Sequence, residues 1–295
     1  MDRNLVPHTF SNVIISAFSL AGLVANTTPL DKADIITPIN SHRLWNCLEG
    51  YPSRDIICKG FRSGFKLGVH KPVPLSSTHS VITSVLADTD KPFIEKINSE
   101  LAAGRVRGPF ESLPDYVKVS PLYVIPKSTP GKFRLIHNLS SPRGKSVNEC
   151  IDPNMRSVSY CRCLDVAAFL LAKPESEVWY MAKVDMKDAY RCVPVYPGDW
   201  KYLGMRYKDK YFVDTCLPMG CASSCFLFQS ISDAIAWMFE RNNPDCKCFN
   251  YLDDFLILAN SNDRCKLALD CFVAMLEFLG FPVSHEKTIP PWHSD

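Results

Sequence analysis

The sequence predicts an α+β protein in which helices pack on an antiparallel sheet. Two apolar runs flank Asp253 and Asp254, and this pattern predicts two strands joined by a tight acidic turn. Residues 121–139 alternate short apolar runs around a Thr-Pro-Gly turn, which predicts a β-hairpin. Residues 222–240 and 262–280 instead have apolar side chains at helical spacing. Strand pairs that alternate with amphipathic helices indicate this fold class.

The remaining elements can be predicted in chain order. A helix is expected to begin near Asp90 and to end at Gly104, because its apolar side chains share one face and glycine is common just after a helix. Residues 161–172 also have helical spacing. Residues 178–184 form an apolar run that predicts a strand leading into an acidic turn at Asp185. The second half of the chain therefore has the order strand, helix, hairpin, helix.

Composition indicates an ordinary globular protein. Hydrophobic residues make up 46% of the chain and charged residues 22%, close to the averages for such proteins. The apolar run at residues 13–25 is too short to span a bilayer as a helix, so no membrane partner is expected. The thirteen cysteines are scattered through apolar stretches rather than framing short loops. This usage favours an intracellular location, in the cytoplasm or nucleus.

Local charge says more about partners than the net charge of +2 does. Residues 118–145 contain six basic residues and no acidic one. A second basic cluster, at residues 54–71, is opposed only by Asp55. Unopposed positive charge attracts phosphate groups, although a solvated surface would have the same composition.

Three carboxylates are the candidate catalytic residues. Asp185 follows one apolar strand, and Asp253 and Asp254 occupy the turn between two others. An ionised side chain at such a position is costly unless something pairs with it. Magnesium prefers oxygen ligands, so carboxylates from adjacent strands could hold two ions that support in-line phosphoryl displacement. An ordinary Asp-Asp turn is the alternative explanation of the pair.

Two motifs resemble those of reverse transcriptases. Residues 251–254, Tyr-Leu-Asp-Asp between apolar runs, resemble the tyrosine-x-Asp-Asp hairpin of that family. Residues 183–190, Lys-Val-Asp-Met-Lys-Asp-Ala-Tyr, resemble its first palm motif. The resemblance implies that Asp185 binds metal together with the hairpin carboxylates, and that Met186 offers its backbone carbonyl to an ion. It also implies that Tyr190 lies beneath the sugar and excludes a 2′-hydroxyl, with core packing as the alternative role.

The likeness to the second palm motif is incomplete. Leu217 to Gly220, with the helix that reaches Gln229, resembles the loop that positions template and incoming nucleotide. Met219 and Gly220 are therefore expected to contact the nucleotide. Met219 stands where retroviral sequences commonly have glutamine, and Cys225 stands where they commonly have proline.

Three basic residues complete the expected site. Lys127 and Arg134 resemble the fingers-hairpin residues that grip the triphosphate. A point-charge lysine and a forked arginine can neutralise the charge that develops on leaving pyrophosphate. Lys287 resembles the lysine of the last palm motif, which is expected to protonate pyrophosphate.

The resemblance covers residues 90 to 288 and implies the fingers and palm of a right-hand polymerase, without a thumb. Residues 1–89 are expected to form a partly irregular N-terminal extension. Residues 90–160, with part of 191–217, are expected to form the fingers, and residues 161–295 the palm.

The implied activity is RNA-directed DNA polymerisation from deoxynucleoside triphosphates. The expected cofactors are two Mg²⁺ ions, with Mn²⁺ as a substitute, and the expected partner is an RNA or DNA template with its primer. The oligomeric state is left open. A truncated, inactive remnant that only binds nucleic acid is the alternative. Residues 44–52 and 60–65 resemble leaders of DIRS-like retrotransposons, and a gypsy-like element is the other candidate lineage.

Overall fold

A computed structural model describes residues 34–75, 90–127 and 131–293 of the chain. The apolar run at residues 13–25, most of the predicted extension and the first two residues of the Thr-Pro-Gly turn lie outside the described residues. None of the helices in the described part of the chain combines the length and the apolar character that a bilayer span requires.

Groups of helices and groups of strands follow one another along the chain, as expected for the α+β class. The helices are α1 (Ser41–Cys47), α2 (Arg54–Ser63), α3 (Asp90–Ala102), α4 (Cys163–Leu171), α5 (Ser224–Asn242) and α6 (Asn262–Leu279). The strands are β1 (Val106–Phe110), β2 (Leu122–Pro126), β3 (Phe133–His137), β4 (Tyr180–Asp185), β5 (Gly204–Tyr207), β6 (Lys210–Asp214), β7 (Lys247–Tyr251), β8 (Asp254–Ala259) and β9 (Ile289–Trp292).

The central sheet has four antiparallel strands in the order β7-β8-β4-β9. The two strands predicted around the acidic turn are β7 and β8, and the strand predicted before Asp185 is β4. Helices α5 and α6 contact this sheet. Phe255 of β8 and Phe239 of α5 both pack against Phe272 of α6, with ring centroids 5.0 and 5.2 Å away. Apolar side chains of one sheet face thus form the core with these helices.

A second group of strands lies beside the central sheet. Strands β2 and β3 form the predicted hairpin, with Ile125 opposite Arg134. Strands β1, β6 and β5 form a three-stranded sheet that the sequence pattern did not predict. The β5–β6 turn contains Lys208 with a φ of +53°, a conformation more typical of glycine or asparagine. The lysine at this position therefore gives no sequence signal for the turn.

Residues 34–75 pack against the core at the end of α6. Asn40 N donates a hydrogen bond to Leu279 O over 2.8 Å, at the end of α6. Gly280, which follows α6, has a φ of +90°, and a Cβ there would lie 2.1 Å from Pro38 O. Phe61 of α2 is 2% exposed and packs edge-on against Phe281. Helices α1 and α2 thus contribute buried side chains, such as Leu44 and Phe61, to the core.

We predict that Phe61→Ala destabilises the fold by about 3–5 kcal/mol, because it removes a buried ring and leaves a cavity. Urea denaturation measures the change. The matched control is Ile56→Ala on the same helix, where the side chain is 72% exposed. Its expected effect is within about 0.5 kcal/mol. Equal effects of the two changes would mean that α2 does not belong to the core.

Candidate active site

The register of β4 and β8 brings the predicted carboxylates together. Asp185, the last residue of β4, lies opposite Asp254, the first residue of β8. Asp253 belongs to the turn that joins β7 to β8, and its carbonyl accepts a 2.9 Å hydrogen bond from Met186 N. Three carboxylates from parts of the chain that are far apart in sequence therefore lie at the same edge of the sheet, where β4 ends and β8 begins.

The acidic turn is held by helix α5. Leu252 has a φ of +52°, which is unfavourable for a residue with a branched side chain. Gln229 Oε1 accepts a 2.9 Å hydrogen bond from Leu252 N, and Ser232 Oγ donates a 2.6 Å bond to Leu252 O. Gln229 and Ser232 are buried, at 5% and 0% exposure. Both backbone groups of the strained residue are thus satisfied by α5, which fixes the direction of the following carboxylates.

Like charge at this edge is balanced by two lysines. Burial raises the pKa of Asp253, and the nearby Asp254 and Asp185 carboxylates raise it further. Lys287 Nζ lies 2.9 and 3.1 Å from the two oxygens of Asp185, and this hydrogen bonding raises the pKa of the lysine. Lys183 Nζ lies 2.8 Å from Asp254 Oδ1. The ammonium groups supply the positive charge that a cluster of carboxylates requires.

The donor chemistry fits a magnesium site. All three side chains offer carboxylate oxygens, which Mg²⁺ prefers. Asp254 Oδ1 is buried without a hydrogen-bond donor among the described residues, because Lys183 approaches it outside hydrogen-bonding geometry. With the side chains as they stand, no group of three or more His, Cys, Asp or Glu in the described ranges is arranged to hold a metal. The ammonium group of Lys287, whose side chain is 62% exposed, occupies the Asp185 carboxylate in this arrangement.

A cavity between the β2–β3 hairpin and the end of β4 contains four of the predicted nucleotide-binding residues. They are Lys127, Arg134, Tyr190 and Met219. Burial lowers the pKa of Lys127, and the neighbouring charges of Lys96 and Arg134 lower it further. The lining thus includes the positive charges of Lys96, Lys127 and Arg134 together with the carboxylates of Glu100, Asp188 and Asp214.

Tyr190 packs against the core and also lines the cavity. Its ring packs against the buried Phe228 of α5, with centroids 5.4 Å apart. Its ring also lines the cavity beside Met219. The hydroxyl lies 3.1 Å from Cys225 Sγ, and burial raises the pKa of this phenol. Tyr190 is thus a partly buried wall of the cavity and not only a core residue.

The loop that carries Met219 and Gly220 is tied to the hairpin. His137 N donates a 2.9 Å hydrogen bond to Met219 O. Asn148 Nδ2 donates to Gly220 O over 2.8 Å, and Asn148 Oδ1 accepts from Ala222 N over 2.9 Å. A Cβ at Gly220 would lie 2.2 Å from His137 O, so only glycine allows this approach. The role of Gly220 visible in the structure is therefore close backbone packing.

A buried ionic network that sequence reasoning missed lies at the floor of the cavity. Arg191 donates to Glu100 over 3.0 Å and to Asp214 over 2.6 Å. Burial opposes ionisation of Glu100, but Arg191, Lys96 and Arg105 bring the pKa of its carboxyl to about 2. The network joins α3, the segment after β4 and β6. Nothing in the local sequence marks these residues as partners, because they meet only in the folded chain.

A comparison with protein families matches residues 125–289 to "Reverse transcriptase (RNA-dependent DNA polymerase)". The match covers more than half of the 295 residues. The chain therefore belongs to the reverse transcriptase family, whose members are nucleotidyltransferases.

The curated relatives include retroviral polyproteins at low identity. The Gag-Pol polyprotein of Avian reticuloendotheliosis virus is 25% identical over 174 residues, which cover 57% of this chain and 14% of the polyprotein. The Gag-Pol polyprotein of Gibbon ape leukemia virus is 29% identical over 124 residues, covering 40% and 7%. The Pol polyprotein of Equine infectious anemia virus is 25% identical over 184 residues, covering 59% and 15%. The chain spans only this small part of each relative.

Solved structures of two foamy viral proteins share the fold. The native Prototype Foamy Virus protease-reverse transcriptase has a TM-score of 0.53 and 18% identity, covering 76% of this chain and 27% of that one. The foamy viral protease-reverse transcriptase dRH in complex with double-stranded DNA has a TM-score of 0.56 and 14% identity, covering 98% and 46%. The α+β fold with antiparallel sheets is therefore that of a reverse transcriptase.

We predict that Gln229→Leu destabilises the fold by about 1–3 kcal/mol, because Leu252 N loses its buried acceptor. Urea denaturation measures the change. The control is Ser230→Ala, in which the lost hydroxyl bonds Phe226 O of the same helix. Its expected effect is below about 0.5 kcal/mol. An equally small effect of Gln229→Leu would show that α5 does not hold the turn.

Proposed function

We propose that this chain catalyses RNA-directed DNA synthesis by two-metal nucleotidyl transfer to a primer 3′-hydroxyl. The pairing of β4 with β8 is the observation that supports this best, because Asp185 and Asp254 lie opposite each other beside Asp253. The neighbouring cavity, with Lys127 and Arg134 on its wall, has the charge that a triphosphate needs. Acidic and basic groups thus flank the position where a nucleotide would react.

Asp185, Asp253 and Asp254, with the backbone carbonyl of Met186, are the residues that would hold two Mg²⁺ ions, or Mn²⁺ in their place. Such ions, when bound, activate the attacking hydroxyl and neutralise charge on the leaving group. The positions of these carboxylates, which would hold the ions, are set by backbone hydrogen bonds of β4 and the turn, including the one from Met186 N to Asp253 O.

The remaining site residues act on the nucleotide. Lys127 and Arg134 bind the triphosphate oxygens as a point charge and as a fork. Tyr190 excludes a 2′-hydroxyl from the sugar, and Met219 and Gly220 border the base. Lys287, whose ammonium group bonds Asp185 in this arrangement, is the residue that would donate a proton to departing pyrophosphate.

We also assign residues 90–160, with part of 191–217, to the fingers and residues 161–295 to the palm. Helices α1 and α2 belong to the segment that resembles DIRS-like leaders, so a retrotransposon of that type is the proposed source, with a gypsy-like element as the second candidate. Template and primer would be RNA or DNA strands.

Primer extension on an RNA template with Mg²⁺ and deoxynucleotides tests the activity. Asp253→Asn is expected to abolish extension, because the amide cannot supply the negative charge that the ions need. Asp115→Asn, which changes an exposed aspartate, is expected to leave extension intact. Extension that survives Asp253→Asn would overturn the proposal. Salt-sensitive template binding without extension by the wild type would favour an inactive nucleic-acid-binding remnant.

The same substitution has an expected effect on stability. The raised pKa of Asp253 means that its ionised form costs stability above the pKa of the unfolded chain. Asp253→Asn removes that charge, so its unfolding midpoint in urea at neutral pH should rise while extension is lost. A fall in the midpoint would instead attribute any loss of extension to misfolding.

A basic groove offers a path for template phosphates. Lys71 and Arg156 line it, and the exposed Arg143 and Lys145 flank Gly144 in its wall. The carboxylate of Glu149, also in the groove, accepts hydrogen bonds from Gly144 N and from Ser146. The acid is thus engaged within its own loop, and the basic side chains determine the charge that a strand meets.

We predict that Lys71→Ala with Arg156→Ala weakens binding of a single-stranded template and lowers the salt dependence of binding. The slope of log K against log salt should fall by about 0.7 for each phosphate that the variant no longer neutralises. Lys59→Ala with Lys266→Ala removes the same charge from exposed positions on α2 and α6. Equal slopes for the two double variants would exclude the groove as the template path.

A further inference from the structure

Cys225 connects Tyr190 to helix α5. Its Sγ atom lies 3.1 Å from the Tyr190 hydroxyl, and both side chains are partly buried. A thiol is both a weak donor and a weak acceptor, so this sulfur can bond the phenol in either direction. A proline at this position would have no group to bond the hydroxyl.

Two contacts from one face of α5 hold the Tyr190 ring. Cys225 and Phe228 are three residues apart, so their side chains lie on the same side of the helix. Phe228 packs at 64° to the ring, and Cys225 bonds the hydroxyl at its far end. An aromatic contact alone leaves the ring free to tilt about its χ angles, whereas a bond to the hydroxyl restrains that movement.

Tyr160 packs against the acidic hairpin. The rings of Tyr160 and Tyr251 have centroids 4.6 Å apart with an interplanar angle of 34°. Tyr251 is the last residue of β7 and precedes the turn that contains Asp253. The contact with the hairpin is thus made by Tyr160, and the bond of Cys225 is to Tyr190.

We propose that Cys225 is a positioning residue that fixes the Tyr190 ring for discrimination between deoxyribonucleotides and ribonucleotides. The inference rests on the proposed polymerase function. A ring that excludes a hydroxyl by steric contact must stay within a fraction of an ångström of its place, and the residues behind it provide that restraint. Loss of the sulfur bond lets the ring move and admits the 2′-hydroxyl.

The test compares kcat/KM for dATP and ATP on one primer-template. Cys225→Ala should lower the dATP/ATP ratio about fivefold, the effect expected for one lost hydrogen bond. Cys225→Ser should restore most of the ratio, because its hydroxyl can bond Tyr190. Cys271→Ala removes an exposed thiol from α6 and should change neither constant.

A double-mutant cycle distinguishes positioning of the Tyr190 ring by Cys225 from an unspecific loss of site structure. Tyr190→Phe keeps the ring and removes the hydroxyl, so it should lower the ratio as Cys225→Ala does. The double variant should then have a dATP/ATP ratio no lower than that of either single variant. Additive effects, or a ratio unchanged in Cys225→Ala, would overturn the inference while leaving the polymerase proposal intact.

Failure of the proposed function has a different signature. A wild-type chain that extends no primer would contradict that function. The ratio of dissociation constants for dATP and ATP, measured with the primer-template bound, then reports the same discrimination without chemistry. No preference for dATP in the wild type, or one that Cys225→Ala leaves unchanged, would overturn the role of Cys225 as well.

Discussion

The antiparallel pairing of β4 with β8 is the constraint on which the candidate site depends. Side chains alternate between the faces of a strand, so a shift by one residue would exchange the core face with the site face. Val184 and Phe255 lie opposite each other and are both fully buried, whereas the next pair is Asp185 and Asp254. Burial of the apolar pair thus determines which face the carboxylates occupy. The chemistry of the edge follows from the packing of the core.

Negative side chains lie at the end of the sheet, and positive side chains lie across the neighbouring cavity. Burial and the neighbouring carboxylates raise the pKa of Asp253. Burial and the positive charges of Lys96 and Arg134 lower the pKa of Lys127. Beneath them the buried network of Glu100, Arg191 and Asp214 is balanced internally. It therefore holds the neighbouring elements together without competing for ligand.

Polar side chains of α5 and its preceding loop connect the core to the site. Gln229 and Ser232 hold Leu252, and Cys225 holds the Tyr190 hydroxyl. Asn148 anchors the loop before the helix. One helix thus sets the position of both the acidic turn and the cavity wall, so a shift of α5 would disturb the turn and the wall together. Contacts of the N-terminal segment also hold the C-terminal end of α6, where Asn40 N bonds Leu279 O and Phe61 packs against Phe281.

Local sequence patterns predict the β2–β3 hairpin, β4, β7, β8, the long helices and the acidic turn. Those features repeat with the period of a strand or a helix, and the motif around Asp253 indicated the family. The partners of these elements, in contrast, become visible only in the folded chain. Tyr190 meets Cys225 across 35 residues and Arg191 meets Glu100 across 91. Such contacts depend on the packing of whole elements, for which no sequence period exists, and so do the short strands of the β1-β6-β5 sheet.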